Sequence, residues 1–231
     1  MALYFIKDTT LTDIADAIRS KTGDTEIIPV TDMATKIGSI ETGSGSGGSG
    51  GVSIASGIAS GTAEKGQFGT FEWVLLSTGE LILFTTESFV YMRAYSTTDR
   101  PSWESYKDQI KTVTFCSTAI MSVGSHTFYN YPNLTTVNFS KGITRIDGSA
   151  FNGCSAITTI SIPTSCNSIA ANAFANCTAL TSVTFDNTSG WMIMNTSGNG
   201  GSRLNATTVA NTSTMARYLT STYVGRNWTR A

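Results

Sequence analysis

Four cysteines (Cys116, Cys154, Cys166 and Cys177) and the single histidine, His126, are the residues of this sequence that could support redox, metal or nucleophilic chemistry. A zinc site would need closely spaced Cys-x2-Cys pairs or histidine neighbours, and the spacing provides neither. His126 has no assignable serine or cysteine partner, and no nucleophile-elbow or phosphate-binding glycine motif is present. We therefore expect no catalytic residue, no metal site and no cofactor.

Paired carboxylates are a second possible source of chemistry, because two of them at a suitable separation hydrolyse glycosidic bonds. Asp147 and Asp186 are the only acids between residues 134 and 231. The sequence places Asp147 in a turn and Asp186 just after a strand. A polysaccharide depolymerase is therefore the least favoured of three functional hypotheses.

Cys154 and Cys177 belong to a repeat, since AFNGCSAITTISI at Ala150 recurs as AFANCTALTSVTF at Ala173, 173 − 150 = 23 residues later. A weaker upstream copy reads TFYNYPNLTTVNF. The aligned apolar columns are Phe128/Phe151/Phe174, Val123/Ile146/Ile169, Ile120/Ile143/Cys166, Leu134/Ile157/Leu180 and Val113/Val137/Ile160/Val183. A period in the twenties predicts a leucine-rich-repeat solenoid with one short, inward-alternating strand per repeat.

The cysteine column can be interpreted in two ways. Stacked columns lie near the strand spacing, so a disulfide between Cys154 and Cys177 is geometrically conceivable. Small buried thiols are the favoured interpretation, because Cys166 replaces an isoleucine in another apolar column.

Residues 110–185, with the pattern I-x-x-I-x-I-P…I-x-x-x-A-F-x-x-C-x-x-L, resemble the BspA-type leucine-rich repeat of bacterial and phage surface proteins. The first copy departs from the pattern, with Thr127 in the alanine column and Tyr131 in the cysteine column. Residues 52–109 contain FEWVLLSTGELILF, which predicts a β-hairpin, and they resemble the segment that leads into such repeats. We expect a β-rich N-terminal cap whose core is formed by Trp73, Trp103 and Tyr106.

Residues 186–231 resemble the C-terminal piece of the same proteins and are expected to cap the last repeat with Trp191, Tyr223 and Trp228. A short helix is predicted from Thr214 to Leu219. The expected fold class is mainly β with short helices: a capped leucine-rich-repeat solenoid preceded by a small helical N-terminal domain.

That N-terminal domain, residues 1–42, is predicted from two short amphipathic helices. Their apolar residues, candidates for attachment or oligomerisation, are Leu11, Ile14, Ile18, Met33, Ile37 and Ile40. About forty residues bury little core alone, so we expect a larger partner or a homo-oligomer, with a trimer favoured. The segment resembles a small domain of phage and prophage structural proteins. GSGSGGSGG at 43–51 predicts a flexible linker.

Composition narrows the possible partners. Charged residues make up 13% of the sequence, the formal net charge is −1, and no Lys/Arg block occurs, so no nucleic-acid partner is expected. No apolar run approaches about 20 residues, so no membrane insertion is expected. The opening MALYFIKDTT does not resemble a secretory signal.

The sequence therefore favours a phage or prophage virion protein, a tail fibre or another exposed fibre on the particle exterior. Residues 1–42 would contact other virion proteins, and the repeats would bind a host surface glycan or protein. The candidate contact residues are Tyr129, Tyr131 and Asn133 in the first repeat, with Asn138, Thr159 and Thr184 on the strands. The alternative is a bacterial cell-surface adhesin, which the missing secretory signal disfavours.

Overall fold

Short β-strands dominate the computed structural model, which describes residues 59–65, 69–76, 78–85, 87–195 and 200–230. The strands are β1 (Ala59–Lys65), β2 (Thr70–Leu75), β3 (Glu80–Phe84), β4 (Val90–Tyr91), β5 (Thr112–Phe115), β6 (Ile120–Val123), β7 (Thr136–Asn138), β8 (Arg145–Ile146), β9 (Thr159–Ile162), β10 (Ser168–Ile169), β11 (Ser182–Phe185), β12 (Trp191–Met194), β13 (Gly201–Arg203) and β14 (Trp228–Arg230). A 3-10 turn spans Glu104–Tyr106, and the helices are α1 (Ala206–Val209), α2 (Thr212–Arg217) and a π-helical turn, Tyr218–Thr222. The predicted class, mainly β with short helices, is confirmed.

The predicted helical domain and linker, residues 1–51, lie outside the described residues. The candidate residues Leu11, Ile14, Ile18, Met33, Ile37 and Ile40 lie there too, and their role stays a prediction.

Three sheets organise the strands. Sheet A has the order β1-β2-β3-β5-β7, sheet B has the order β13-β12-β14-β10-β8-β6-β4, and β11 with β9 forms sheet C. Strands of successive repeats pair in parallel, with Val113 beside Val137 and Ile160 beside Val183. Sheet B repeats this arrangement on a second side of each repeat through β6, β8 and β10.

The hairpin predicted before the repeats is confirmed by the antiparallel pairing of β2 and β3, which sets Trp73 opposite Leu83. Strand β3 then pairs in parallel with β5, so the hairpin extends the sheet of the repeats by two strands. Trp103 is fully buried, with ring centroids 6.0 Å from Trp73 and 6.1 Å from Phe128. The aromatic core of this cap is therefore continuous with the core of the repeats.

Phe128, Phe151 and Phe174 form a single stack, as the 23-residue spacing predicts. The ring centroids lie 5.3 Å and 5.5 Å apart, and the rings are nearly parallel, at 11° and 6°. The backbone N–H of Phe128 donates to the carbonyl of Ala150, and that of Phe151 to Ala173, both at 2.8 Å. Equivalent residues of neighbouring repeats are thus joined through both backbone and side chain.

Two further columns adopt the left-handed backbone conformation. His126, Ser149 and Asn172 have φ of 55°, 57° and 61°, and Asn130 and Asn176 have φ of 59° and 57°. Asparagine and histidine are enriched among the non-glycine residues that tolerate positive φ. The turn geometry of the repeat therefore accounts for His126, the only histidine in the chain.

Aromatic residues cover the far end of the repeats, as predicted. Trp191 and Trp228 are buried, with ring centroids 4.9 Å and 6.5 Å from Phe185. Tyr223 is partly buried and packs edge-on against Tyr218, at 4.8 Å. Strand β14 pairs antiparallel with β10, and β12 and β13 continue sheet B beyond it.

The helix predicted to begin at Thr214 starts two residues earlier. The Asn211 side chain accepts a hydrogen bond from the Thr214 N–H at 2.9 Å, which caps α2 so that it begins at Thr212. The π-helical turn then carries the segment to Thr222, beyond the predicted end at Leu219. Strands β12 and β13 were not predicted, because neither belongs to a repeated column.

Truncation of the central ring of the phenylalanine stack tests the core. Phe151→Ala removes a fully buried ring that has a partner on each side, so we expect a loss of about 3–5 kcal/mol in the free energy of unfolding. Phe89→Ala, at a side chain that is 53% exposed, is the control and should cost less than about 1 kcal/mol. Urea denaturation followed by circular dichroism measures both, and equal losses would contradict the stacked core.

Candidate functional site

The outward side chains of four consecutive repeat strands are all serine, threonine or asparagine. We call this surface the polar strand face; its members are Thr112, Thr114, Thr136, Asn138, Thr159, Ser161, Ser182 and Thr184. These positions alternate with buried ones along each strand, which is the two-residue period of a half-buried strand. The face therefore presents hydroxyl and amide groups about 4.8 Å apart between paired strands and about 7 Å apart along each strand.

Carboxylates bound the polar strand face at both ends. Near the N-terminal cap, the Thr114 hydroxyl donates to Glu80 at 2.5 Å, and the Asn138 amide donates to the Thr114 hydroxyl at 3.1 Å. At the other end, the Ser161 hydroxyl donates to Asp186 at 3.1 Å. Within the described residues, the hydroxyls of Thr159 and Thr184 have no hydrogen-bond partner and remain available to a ligand.

The polar strand face divides between β7 and β9. Sheets A and C are separate there, although Val137 and Ile160 occupy the same buried column. Asn138 and Ser161 are exposed on the two sides of this division. Strand edges that are not bonded to each other leave backbone donors and acceptors for other partners.

The first repeat contributes less surface than predicted. Tyr131 is fully buried and not an exposed contact residue, because it fills the column of Cys154 and packs edge-on against Phe128 at 5.4 Å. Its hydroxyl donates to Glu104 at 2.9 Å. Burial, and secondarily the charge of Glu104, raises the pKa of Tyr131 far above its ordinary value.

The two neighbouring candidates of the first repeat remain at the surface but are engaged. Tyr129 is half-buried, and the guanidinium of Arg100 lies 5.8 Å from its ring centre. Asn133 is exposed, and its amide donates to the backbone carbonyl of Asp108 at 2.8 Å. The candidates on the strands, Asn138, Thr159 and Thr184, are exposed.

Arg100 fastens the N-terminal cap to the first repeat. Its guanidinium donates to the carbonyls of His126 at 2.7 Å and Tyr129 at 3.0 Å, and to the Glu104 carboxylate at 2.9 Å. The same carboxylate accepts the Tyr131 hydroxyl. The arginine side chain is only 14% exposed, so these charge-assisted bonds lie partly out of solvent.

Cys154, Cys166 and Cys177 are buried free thiols, in agreement with the interpretation as buried small residues. The thiols of Cys154 and Cys177 donate to the carbonyls of Phe128 and Phe151, each at 3.1 Å. Burial raises the pKa of Cys166 to about 11 and that of Cys177 to about 12, and it raises the pKa of Cys154 further. Such thiols are poor nucleophiles and poor metal ligands at neutral pH.

The two carboxylates considered for hydrolysis follow strands of different sheets. Asp147 comes after β8 of sheet B and pairs with Arg145 at 2.7 Å, and burial raises its pKa. Asp186 comes after β11 of sheet C and accepts the Ser161 hydroxyl. Across the described part of the chain, no group of three His, Cys, Asp or Glu residues is arranged to hold a metal ion. Nor does any helix among the described residues have the length and apolarity needed to span a membrane.

Five members of the polar strand face were not among the predicted contact residues: Thr112, Thr114, Thr136, Ser161 and Ser182. The signal that could have found them is the same alternation that identified the buried columns. In TTISI and TSVTF, every residue between two buried ones is a serine or threonine. The carboxylates at the two ends carry no comparable signal, because Glu80 lies outside the repeats.

Comparisons with known proteins identify the repeats. Residues 104–196 match the family model of the BspA type leucine rich repeat region in six copies. The match extends the predicted repeats by 110 − 104 = 6 residues upstream and 196 − 185 = 11 downstream. This part of the chain is therefore similar to BspA-type leucine-rich repeats. No curated protein matches the chain.

Several solved structures of leucine-rich repeat proteins are similar over part of the chain. One from Eubacterium ventriosum is 16% identical over 60% of this chain and 46% of its own, with a TM-score of 0.41. One from Bacteroides capillosus is 19% identical over 51% of this chain and 94% of its own, with a TM-score of 0.34. A leucine rich cell surface protein from Faecalibacterium prausnitzii is 21% identical over 58% of this chain and 41% of its own, with a TM-score of 0.33. The chain thus spans less than half of the first and third proteins.

Replacement of Arg100 tests the fastening of the cap. Arg100→Met keeps the apolar stem but removes the donor to two carbonyls and one of the donors to the Glu104 carboxylate, so we expect a loss of about 2–4 kcal/mol in the free energy of unfolding. Arg93→Met removes an exposed ion pair with Asp99 and should cost less than about 1 kcal/mol. Urea titrations of both variants measure the difference, and a loss below 1 kcal/mol for Arg100→Met would refute this role.

Thiol reactivity tests the burial of the cysteines. The pKa of Cys166 rises from 9.0 to about 11, so at pH 8 its thiolate fraction, and hence its alkylation rate, should be about 100-fold below that in the unfolded chain. Because the folded pKa is the higher one, this stabilisation is complete below pH 9 and is lost as the pH rises toward 11. Iodoacetamide labelling with peptide mass mapping measures the rate, with the guanidinium-unfolded chain as the control. Equal rates in both states would contradict the buried environment.

Proposed function

We propose that the chain is a surface-recognition protein in which a short leucine-rich-repeat solenoid displays the polar strand face to a glycan or protein of a cell surface. The observation that carries this proposal is the uncharged, hydroxyl- and amide-rich character of all eight positions of the face. Regular repeat frames bind through the variable side chains that they hold in fixed positions. Rigid positioning reduces the ordering cost of binding, which supports recognition by many weak polar contacts.

A solenoid is supported by the pairing of equivalent residues in successive repeats. Val113 pairs with Val137, and Ile160 pairs with Val183, in parallel strands. The phenylalanine stack continues this equivalence on the turn side.

Binding without catalysis is part of the proposal. The strand face carries no residue able to act as a general acid or base near pH 7, and the flanking Glu80 and Asp186 each accept a hydrogen bond from a face hydroxyl. Hydroxyl and amide groups exchange hydrogen bonds readily with the hydroxyls of a sugar. A neutral or weakly charged glycan surface therefore fits the face at least as well as a protein surface.

A bacterial cell-surface adhesin is the better supported setting. The match to BspA-type repeats over residues 104–196 supports a surface-displayed binding protein. The virion fibre depends on residues 1–42, which lie outside the described residues, so the particle exterior and contacts with other virion proteins stay a prediction. Homo-oligomerisation through residues 1–42 is likewise a proposal, and it rests only on the small core that about forty residues can bury alone. Several copies on one surface would strengthen weak single-site contacts in either setting.

Removal of face hydroxyls tests the proposal. In the full chain, Thr159→Val with Thr184→Val deletes two exposed, unbonded hydroxyls while keeping the branched side chains that suit a strand. Loss of about two ligand hydrogen bonds should weaken binding about tenfold or more. The measurements are a glycan array and adhesion of the labelled protein to bacterial cell walls.

The matched control removes two exposed hydroxyls on the turn side of the same repeats, by Ser155→Ala with Thr178→Val. Its binding should stay within about twofold of the unmodified chain. Equal binding by the two double variants would exclude the polar strand face as the binding surface. Release of reducing ends from the bound polysaccharide would instead revive the depolymerase hypothesis.

A further inference from the structure

Residues 187–230 contain four arginines and no aspartate or glutamate. We call Arg203, Arg217, Arg226 and Arg230 the terminal arginine set. The nearest acid, Asp186, accepts a hydrogen bond from Ser161 and lies at the end of the polar strand face. Residues 187–230 therefore carry a formal charge of +4, and the C-terminal cap, which includes Asp186, carries 4 − 1 = +3 in a chain whose net charge is −1.

The upstream arginines among the described residues all pair with carboxylates, which makes this cap distinct. Arg93, Arg100 and Arg145 form ion pairs with Asp99, Glu104 and Asp147 at 2.7, 2.9 and 2.7 Å. No carboxylate pairs with any member of the terminal arginine set within the described residues. Uncompensated like charges in one small cap repel each other, so this arrangement disfavours folding unless an anion balances it.

Three of the four arginines lie on or beside adjacent strands of sheet B. Arg203 on β13 pairs across the sheet with Met192 of β12, and β12 pairs in turn with β14, which ends at Arg230. These backbones are therefore about 10 Å apart at most, two strand spacings. The Arg226 guanidinium donates to the carbonyl of Met194 on β12, at 3.4 Å.

The fourth arginine lies on a helix of the same cap. Arg217 ends α2, which packs against β11, the last strand of the polar strand face. Its guanidinium lies 5.7 Å from the ring centre of Tyr218. Arg217 and Arg203 are both exposed, so their donors face solvent. Arg230 is different, because its guanidinium donates to the carbonyls of Thr164 and Cys166 and holds the chain end in place.

We propose that the terminal arginine set binds the anionic groups of an acidic glycan, with Arg203 and Arg217 as the principal contacts. This inference rests on the proposed function and specifies its partner. The planar guanidinium offers paired donors that match the two oxygens of a phosphate or carboxylate. All the positively charged side chains of this cap are arginines.

A nucleic acid fits this surface less well than a glycan. Single-stranded nucleic acids need exposed aromatic platforms on which bases stack, and the polar strand face consists of small hydroxyl and amide side chains. The hydroxyl groups of an acidic glycan can exchange hydrogen bonds with such side chains, while its anionic groups pair with guanidinium groups.

The test measures binding of the full chain to two acidic polymers, poly(glycerol phosphate) and polygalacturonate, by biolayer interferometry over a range of salt concentrations. Arg203→Gln with Arg217→Gln should weaken binding about tenfold at low salt and flatten its salt dependence. Lys111→Gln with Lys141→Gln removes the same charge from exposed positions elsewhere and should change binding less than about threefold. Binding to either acidic polymer with this arginine dependence supports the proposal, and the two polymers separate phosphate from carboxylate recognition.

Three outcomes would overturn it: no binding to either acidic polymer, equal losses in the arginine and lysine variants, or equally arginine-dependent binding to a DNA oligonucleotide. The Thr159→Val/Thr184→Val variant separates this proposal from the preceding one. Binding of a neutral dextran that depends on these threonines, but of no acidic polymer, retains the polar strand face and rejects the arginine set. Acidic-polymer binding that needs the arginines and not the threonines supports the arginine set and rejects the polar strand face.

Discussion

Hydrogen bonds between the backbones of successive repeats are the interaction on which the rest of this structure depends. Phe128 donates to Ala150 and Phe151 donates to Ala173, so each repeat satisfies its neighbour. The first and last repeats would leave such groups open, and unsatisfied backbone groups are costly. Arg100 supplies donors to the carbonyls of the first repeat, and the carbonyl of Val224 accepts the N–H of Asn172 from the last. The caps are therefore requirements of the ladder, which explains why the hairpin and β14 join its sheets.

The repeated columns could be predicted from sequence because each column has a matching residue in several repeats. Phe128, Phe151 and Phe174 identify one another by position alone, and the buried partners on each strand follow by alternation. Tyr131 was wrongly predicted to be exposed, because it is the one tyrosine in a column otherwise occupied by cysteine. The partner of its hydroxyl, Glu104, lies 27 residues upstream. The strands of the C-terminal cap and the contacts of Arg100 were missed for the same reason. They depend on single long-range contacts that leave no period in the sequence.

Polar residues of the repeats fall into two groups, those in the turns and those on the outward side of the strands. The candidate site consists of the second group. His126, Asn130 and Asn172 have positive φ, so the turns of the repeat explain why they are polar. Asn152 also belongs to the turns, where its amide oxygen accepts the Asn176 side chain at 2.9 Å. No such backbone demand applies to the strand positions, where any residue with good strand propensity would fold. Thr114, Asn138 and Ser161 make internal hydrogen bonds, whereas Thr159 and Thr184 have exposed hydroxyls that ligand contact would use.

The two proposed surfaces would contribute to binding in different ways. Hydroxyls and amides on a rigid ladder act only at contact distance, so the strand face would determine which partner is retained. The charges of Arg203 and Arg217 act over about 8–10 Å at physiological salt, so they would govern how fast an acidic partner arrives. Among the described residues the upstream arginines pair with carboxylates, so the arginines without such a partner are those of the cap. An acidic polymer would thus be attracted to the cap, and its hydroxyl groups would be the part that suits the strand face.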